Sequence, residues 1–216
     1  DLDVVHQGLL KLGSAVESGL GGDLGNTAVE ALDQATRRLD VTAGEFAADR
    51  VRIETPAAST PENVVEVIAR IAETFAGQTG THPIGVTVPG VVTRGVVRSA
   101  ANIDKSWIDT DAAALFGKAL GGREVTVLND ADAAGIAEDS FGAGKDTSGV
   151  VILLTFGTGI GSAVLHNGVL LPNTEFGHLE VDGKEAEHRA ASSVKEKKDW
   201  SYKEWAVEVS RVLTTF

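Results

Sequence analysis

The sequence predicts an α/β protein, and three observations carry the prediction. Apolar, β-branched runs at Ile84–Val88, Val125–Leu128 and Val150–Thr155 have the texture of buried strands. Helical stretches accompany them, the clearest being the one where Val64, Ile68, Ile71 and Phe75 recur at four, three and four, the period of an amphipathic helix. The two kinds of segment alternate along the chain, as they do in α/β architecture.

The front of the chain has a different texture. Leu2, Val5, Leu9, Leu12, Val16 and Leu20 fall at helical spacing, although Gly8, Gly13 and Gly19 weaken that helix. GLGGDLGNT reads as a loop, and Thr27–Arg38 as a second helix with Ala28, Ala31, Leu32 and Ala35 on one side. No strong strand is predicted before residue 39, so residues 1–38 read as a helical segment.

Residues 39–121 read as a small α/β domain. LDVTAGEFAADRVRIE predicts two short strands about Ala43–Gly44. Thr60 caps a helix with Pro61 at its first position, and Val64, Ile68, Ile71 and Phe75 form its apolar face. Ile84–Val88 ends at Pro89–Gly90, and Val91–Val92 pairs with Val96–Val97 as a hairpin. SAANIDKSWID is polar and irregular, and Asp109 or Thr110 caps a helix through Leu120.

Residues 122–216 read as a larger α/β domain. Val125–Leu128 is a strand ending on Asn129–Asp130, with a helix over Ala131–Glu138. VVILLTFGTGIGSAV then predicts two strands about a glycine-rich turn, and Asn167–Gly168 a second tight turn. Lys184–Lys198 reads as a helix; Ser201 and Glu204 form a capping box for a last one that carries Trp205, Val209, Val212 and Phe216.

Bulk properties narrow the function. The 216 residues are 43% hydrophobic and 23% charged, those of an ordinary soluble globular protein. With no cysteine, thiol catalysis, disulfides and thiolate zinc sites are excluded. No apolar run reaches membrane-spanning length and the first residues do not read as a signal peptide, so a cytoplasmic protein without a membrane partner is expected. The net charge of −12 argues against nucleic-acid binding. Residues 183–216 differ: seven Lys/Arg against six Asp/Glu give +1, leaving −13 for residues 1–182.

Three groups of residues could carry chemistry. Gly157, Gly159 and Gly161 leave a nest of successive N–H groups unshielded, with the hydroxyls of Thr155 and Thr158 beside it, which suits a phosphate; a plain hairpin turn is the alternative. Asp130, entering a helix from the C-terminal end of a strand, stands where α/β sheets present ligand groups and could serve as a general base, or simply cap that helix. Glu175, His178 and Glu180, with Asn102 from the irregular loop, offer the acceptors and donors a polyol needs. A metal site there lacks a second histidine at ligand spacing, since His188 is ten residues away, and none is expected. Together these describe a kinase for a hydroxylated substrate.

At this level of detail GVTVPGVV, SAANIDKSW, VLNDADAAG, LLTFGTGIGSAV, NTEFGHLEV and GKEAEHRAASSVKEK resemble the polyphosphate glucokinases of actinobacteria, within the ROK group of sugar kinases. The likeness runs in order from about Thr42 to Phe216. It implies an actin-like (ribonuclease H-like) two-domain sugar kinase fold. It also implies phosphoryl transfer from polyphosphate or ATP to the 6-hydroxyl of glucose, with Mg2+ bridging the donor phosphates. By the same resemblance Asp130 is the catalytic base, and Asn102, Asn129, Glu175, His178 and Glu180 bind glucose. Thr155, Gly157, Thr158, Gly159 and Gly161 form the second phosphate loop. The tract holding Lys184, Lys195 and Lys198 marks polyphosphate use, and a homodimer is expected.

Two departures qualify the expectation. The group opens with a strand and a first phosphate loop of the form Asp-x-Gly-Gly-Ser/Thr, of which Asp23–Thr27 is a faint echo. It also continues past the last helix into a glycine-rich nucleotide-side region. The fold is therefore expected to be incomplete, atypical at its start and truncated at its end. The alternative function is a non-catalytic, glucose-binding or structural remnant without a whole donor site.

Overall fold

The computed structural model describes residues 10–13, 34–40, 45–46, 51–75, 83–101 and 103–216. The chain divides into two compact units, residues 1–130 and 131–216.

The first unit is built on a mixed sheet. Its strands are β1 (Leu10–Gly13), β2 (Gln34–Asp40), β3 (Glu45–Phe46), β4 (Val51–Ile53), β5 (Ile84–Val88) and, beyond a small hairpin of β6 (Val92–Thr93) and β7 (Val96–Val97), β8 (Val125–Asn129). The order is β3-β2-β1-β5-β8, with β4 also on β2. β2 runs antiparallel to β1, β3 and β4, while β1, β5 and β8 are parallel.

This corrects the helical reading of residues 1–38 at Leu10–Gly13 and from Gln34 onward; the rest of that stretch lies outside the described residues. Leu10–Gly13 and Gln34–Asp40 are strands, paired Leu10 to Arg38 through Gly13 to Ala35. Leu12 also stands beside Val86 of β5, so a distant partner strand overrides the local helical spacing. The turn at Ala43–Gly44 and the segment Asp23–Thr27 lie outside the described residues. β8 pairs with β5 from Ile84–Val125 to Val88–Asn129, which places it in the first unit rather than in the domain assigned to residues 122–216.

Among the described residues, two helices pack on this sheet. α1 (Pro61–Thr74) starts on Thr60, whose side chain accepts from the N–H of Asn63, and buries Val64, Ile68 and Ile71. α2 (Ala112–Ala119) is capped by Asp111, whose carboxylate accepts from the N–H of Ala114 at 2.9 Å. The cap is therefore neither Asp109 nor Thr110; Asp109 has φ +63 and pairs with Arg98 at the surface. Trp107 and Phe116 meet at 5.9 Å in the core with Ile84, Val86 and Val127.

The second unit holds an antiparallel sheet of β9 (Val150–Phe156), β10 (Ile160–His166) and β11 (Val169–Leu171). Asn167 and Gly168, at φ +50 and +78, make the tight turn between β10 and β11. α3 (Asp130–Phe141) starts directly at the end of β8 and is longer than the predicted helix.

The stretch Lys184–Lys198 is not one helix. It comprises β13 (Lys184–Glu185), which forms a hairpin with β12 (Glu180–Val181), then α4 (Ala186–Ala190) and α5 (Ser192–Lys197). Asp182 and Gly183, at φ +48 and +75, turn the hairpin, and Ala191, extended at ψ 150, separates the helices. The break lets Ala186, Ala190 and Ala191 all bury in a core with Ile160, Val181 and Val212. α6 (Tyr202–Leu213) starts on the predicted capping box of Ser201 and Glu204. Among the described residues no helix is long and apolar enough to cross a membrane.

Candidate functional site

In the first unit two candidate residues, Asn129 and Asp130, stand at the C-terminal end of β8. Asn129 is buried, and its side-chain amide donates to the carbonyl of Gly90 at 3.2 Å. The next residue, Val91, donates its N–H to the Ser99 hydroxyl at 2.9 Å, and Lys105 donates its ammonium to the Ala100 carbonyl. The end of β5 is thus tied both to Asn129 and to the irregular loop after Arg98. Asn102 itself lies outside the described residues. Asp130 follows Asn129 as the first residue of α3 and is half-buried.

In the second unit the glycine-rich segment is a hairpin turn, as predicted. β9 and β10 pair from Phe156–Ile160 onward, and the N–H of Gly157 donates to the carbonyl of Gly159 at 3.0 Å. No residue of Gly157–Gly159 has φ in the left-handed region, so the alternating geometry of an N–H nest is not what shapes the turn. A Cβ on Gly157 would meet nothing within 4 Å, whereas Gly159 and Gly161 have close neighbours. A Cβ on Gly161 would lie 2.6 Å from the Thr155 hydroxyl across the ladder, and one on Gly159 would lie 2.4 Å from Glu187 Oε2. The turn is held from α5: Ser193 donates its N–H to the Gly157 carbonyl at 3.2 Å and its hydroxyl to the Thr158 carbonyl at 2.7 Å. Gly157 and Thr158 are exposed.

The same strand that leaves this turn organises Glu175 and His178. Ser162 on β10 is buried; its hydroxyl donates to the Thr174 carbonyl and accepts from the N–H of Phe176 at 3.0 Å. Asp132 of α3, 1% exposed, accepts the N–H of Asn173 at 2.8 Å and steadies the approach to Glu175. Residues Phe176–His178 form a short 3-10 turn.

His178 Nδ1 stands 3.4 Å from Glu185 Oε2 and 3.8 Å from Glu187 Oε1. His188 Nδ1 faces the same Glu185 carboxylate at 3.5 Å. Glu180 is exposed on β12, in register with Glu185. The structure therefore gathers Glu185 and Glu187 around His178, and neither was singled out from the sequence. Both sit in a tract read for its lysines; the signal available was a carboxylate a few residues after a histidine. Single ligand atoms of His178, Glu185 and Glu187 lie within 4.8 Å of one another, the described group best placed to hold a cation. An imidazole in the set departs from the all-oxygen surroundings that Mg2+ favours.

The basic residues are divided among elements. Lys184 is on β13, whereas Lys195 is on α5 and Lys198 follows it, so the three do not share one helix face. Lys195 Nζ lies 4.5 Å above the Tyr202 ring and Lys198 Nζ 4.3 Å above that of Trp200. Arg189 is engaged elsewhere, donating to the carbonyls of Val181 at 2.5 Å and Asp182 at 2.8 Å.

The strand order and the elements at its C-terminal edge define an α/β protein of the actin-like type. Residues 33–193 match the ROK family, and the chain belongs to it. It is 57% identical over 195 residues to the polyphosphate glucokinase of Mycobacterium tuberculosis (strain CDC 1551 / Oshkosh), covering 90% of this chain and 71% of that one. Among solved structures it is similar to the inorganic polyphosphate/ATP-glucomannokinase from Arthrobacter sp. strain KM. There the TM-score is 0.78 and the identity 43%, over 83% of this chain and 72% of that one. It is also similar to a ROK family glucokinase from Streptomyces griseus in complex with glucose and AMPPNP. That match has a TM-score of 0.67 and 25% identity, over 81% of this chain and 57% of that one.

Proposed function

We propose that this chain transfers a phosphoryl group from inorganic polyphosphate, or from ATP, to the 6-hydroxyl of glucose. The observation that carries the reading is the position of the Glu187 carboxylate. One of its oxygens lies against Gly159 of the glycine turn, and the other is 3.8 Å from His178 Nδ1. A turn suited to phosphate and an imidazole suited to a sugar hydroxyl thus stand on two sides of one side chain. Phosphoryl transfer needs that adjacency of donor and acceptor.

In this reading Asp130 takes the proton of the 6-hydroxyl, O6 attacks the terminal phosphorus, and the P–O bond to the shortened polyphosphate, or to ADP, breaks. Asn129, Asn102, Glu175, His178 and Glu180 exchange hydrogen bonds with the remaining hydroxyls. The turn from Thr155 to Gly161 holds the reacting phosphate, while Lys195 and Lys198 attract the polyanion beyond it. Bound to the donor, Mg2+ would supply charge neutralisation of its phosphates; the His178, Glu185 and Glu187 set is a poor match for that cation. The resemblance also supports a cytoplasmic homodimer, and sedimentation tests the oligomer.

The experiment is to supply the purified chain with glucose, Mg2+ and either donor, and to assay glucose 6-phosphate. Product with polyphosphate is expected. A folded chain that binds glucose and forms no product is the non-catalytic remnant instead.

A further inference from the structure

We propose that Ser193 is the positioning residue of the donor turn, the side chain that aims its amide N–H groups at the phosphate. The proposal rests on the reading that the turn holds the donor. Two bonds from this one residue fix two successive peptides: its N–H holds the Gly157 carbonyl at 3.2 Å and its hydroxyl the Thr158 carbonyl at 2.7 Å. In a trans peptide the carbonyl and the following N–H point in opposite directions. With both carbonyls drawn towards α5, the N–H groups of Thr158 and Gly159 are turned away from it. Adjacent amide donors directed to one side of an exposed turn are what an oxyanion needs.

The usual device for such a set, residues of alternating hand, is absent from Gly157–Gly159. An external tether takes its place. Ser193 is itself held, because Val194 packs against the core containing Ile160, with Phe156 also packed there, and the Val194 N–H donates to the Ala191 carbonyl at 3.0 Å. Phe156 and Ile160 are the residues flanking the turn. The turn and its tether thus share one packed support, so the amides are oriented before a donor arrives. The role differs from that of Lys195 on the same helix. A lysine acts on the tail of a long polyanion, whereas the turn meets the reacting phosphate of either donor.

The test uses the full chain, tripolyphosphate as probe, and the variants Ser193→Ala and Ser193→Thr. Amide resonances of Thr158 and Gly159 are followed by NMR, with affinity from calorimetry. In the parent, tripolyphosphate shifts both resonances. Ser193→Ala weakens tripolyphosphate binding by about tenfold, roughly the worth of one ordering hydrogen bond. It leaves glucose affinity and the melting temperature unchanged, and Ser193→Thr restores binding. Ser193→Ala binding tripolyphosphate as well as the parent overturns the proposal. So does a parallel loss of melting temperature, glucose affinity and tripolyphosphate affinity, which makes Ser193 merely structural. A parent that binds no tripolyphosphate at the turn removes the donor reading itself, and this inference with it.

Discussion

A Cβ on Gly177 would stand 2.2 Å from the carbonyl oxygen of Ile160. The close approach lets the 3-10 turn lie directly on the start of β10, with Glu175 two residues before Gly177 and His178 one after. The obstacle is backbone, so a methyl group cannot be absorbed by a rotamer change. Gly177→Ala is expected to cost roughly 1–3 kcal/mol of stability, as overpacking does. It should also weaken glucose binding by lifting both polar residues. Melting curves and calorimetry check this; a variant that melts early but binds glucose like the parent would detach Gly177 from the proposed sugar site.

The basic strip is narrower than the sequence suggested. Lys195 and Lys198 stay close together on and after α5, with Nζ atoms over Tyr202 and Trp200, while Lys184 belongs to a hairpin. Replacing Lys195 and Lys198 with Gln should raise the KM for long polyphosphate several-fold and leave those for ATP and glucose nearly unchanged. Added salt should shrink the difference, since exposed charges are screened within about 8 Å at physiological ionic strength. Lys184→Gln should have the smaller effect. Equal use of polyphosphate by the double variant and the parent would reduce the pair to a solvated surface.

The start of α6 carries a pH-dependent contribution. The Ser201 side chain and backbone donate to the Glu204 carboxylate at 2.7 and 2.9 Å, holding its pKa below the usual value. A depressed carboxylate pKa stabilises the fold above the unfolded-state value and loses that effect as pH falls through the folded one. Glu204→Ala should therefore melt below the parent at neutral pH, and the two melting temperatures should converge in acid. A constant gap at every pH would show that the carboxylate charge is not involved.

What was legible in the sequence was local. The Thr60 cap with Pro61, the Ser201–Glu204 box and the Asn167–Gly168 turn each state their geometry within four residues, and all three form. β1 and β2 escaped because β1 pairs with β2 and with β5 across residues far apart in the chain, while Leu9, Leu12 and Val16 keep a helical spacing. The Lys184–Lys198 break escaped because burial of Ala186, Ala190 and Ala191 in a shared core decided it, not charge. Among the candidate residues, Glu175 and His178 were singled out by residue type. Glu187 and Ser193 were not, since their significance lies in what they touch across the fold: Gly159 and His178 for the one, Gly157 and Thr158 for the other.

In the proposed reaction Asp130 takes the proton of the glucose 6-hydroxyl. Asp130→Asn keeps the size and hydrogen-bonding capacity of the first residue of α3 and removes the base. The direct measurement is kcat for glucose 6-phosphate formation alongside the glucose dissociation constant, parent against variant. The expected result is a kcat lower by about 10²–10⁴, the usual contribution of a general base, at nearly unchanged glucose affinity. Equal losses in kcat and in glucose binding, or an unchanged kcat, would contradict it.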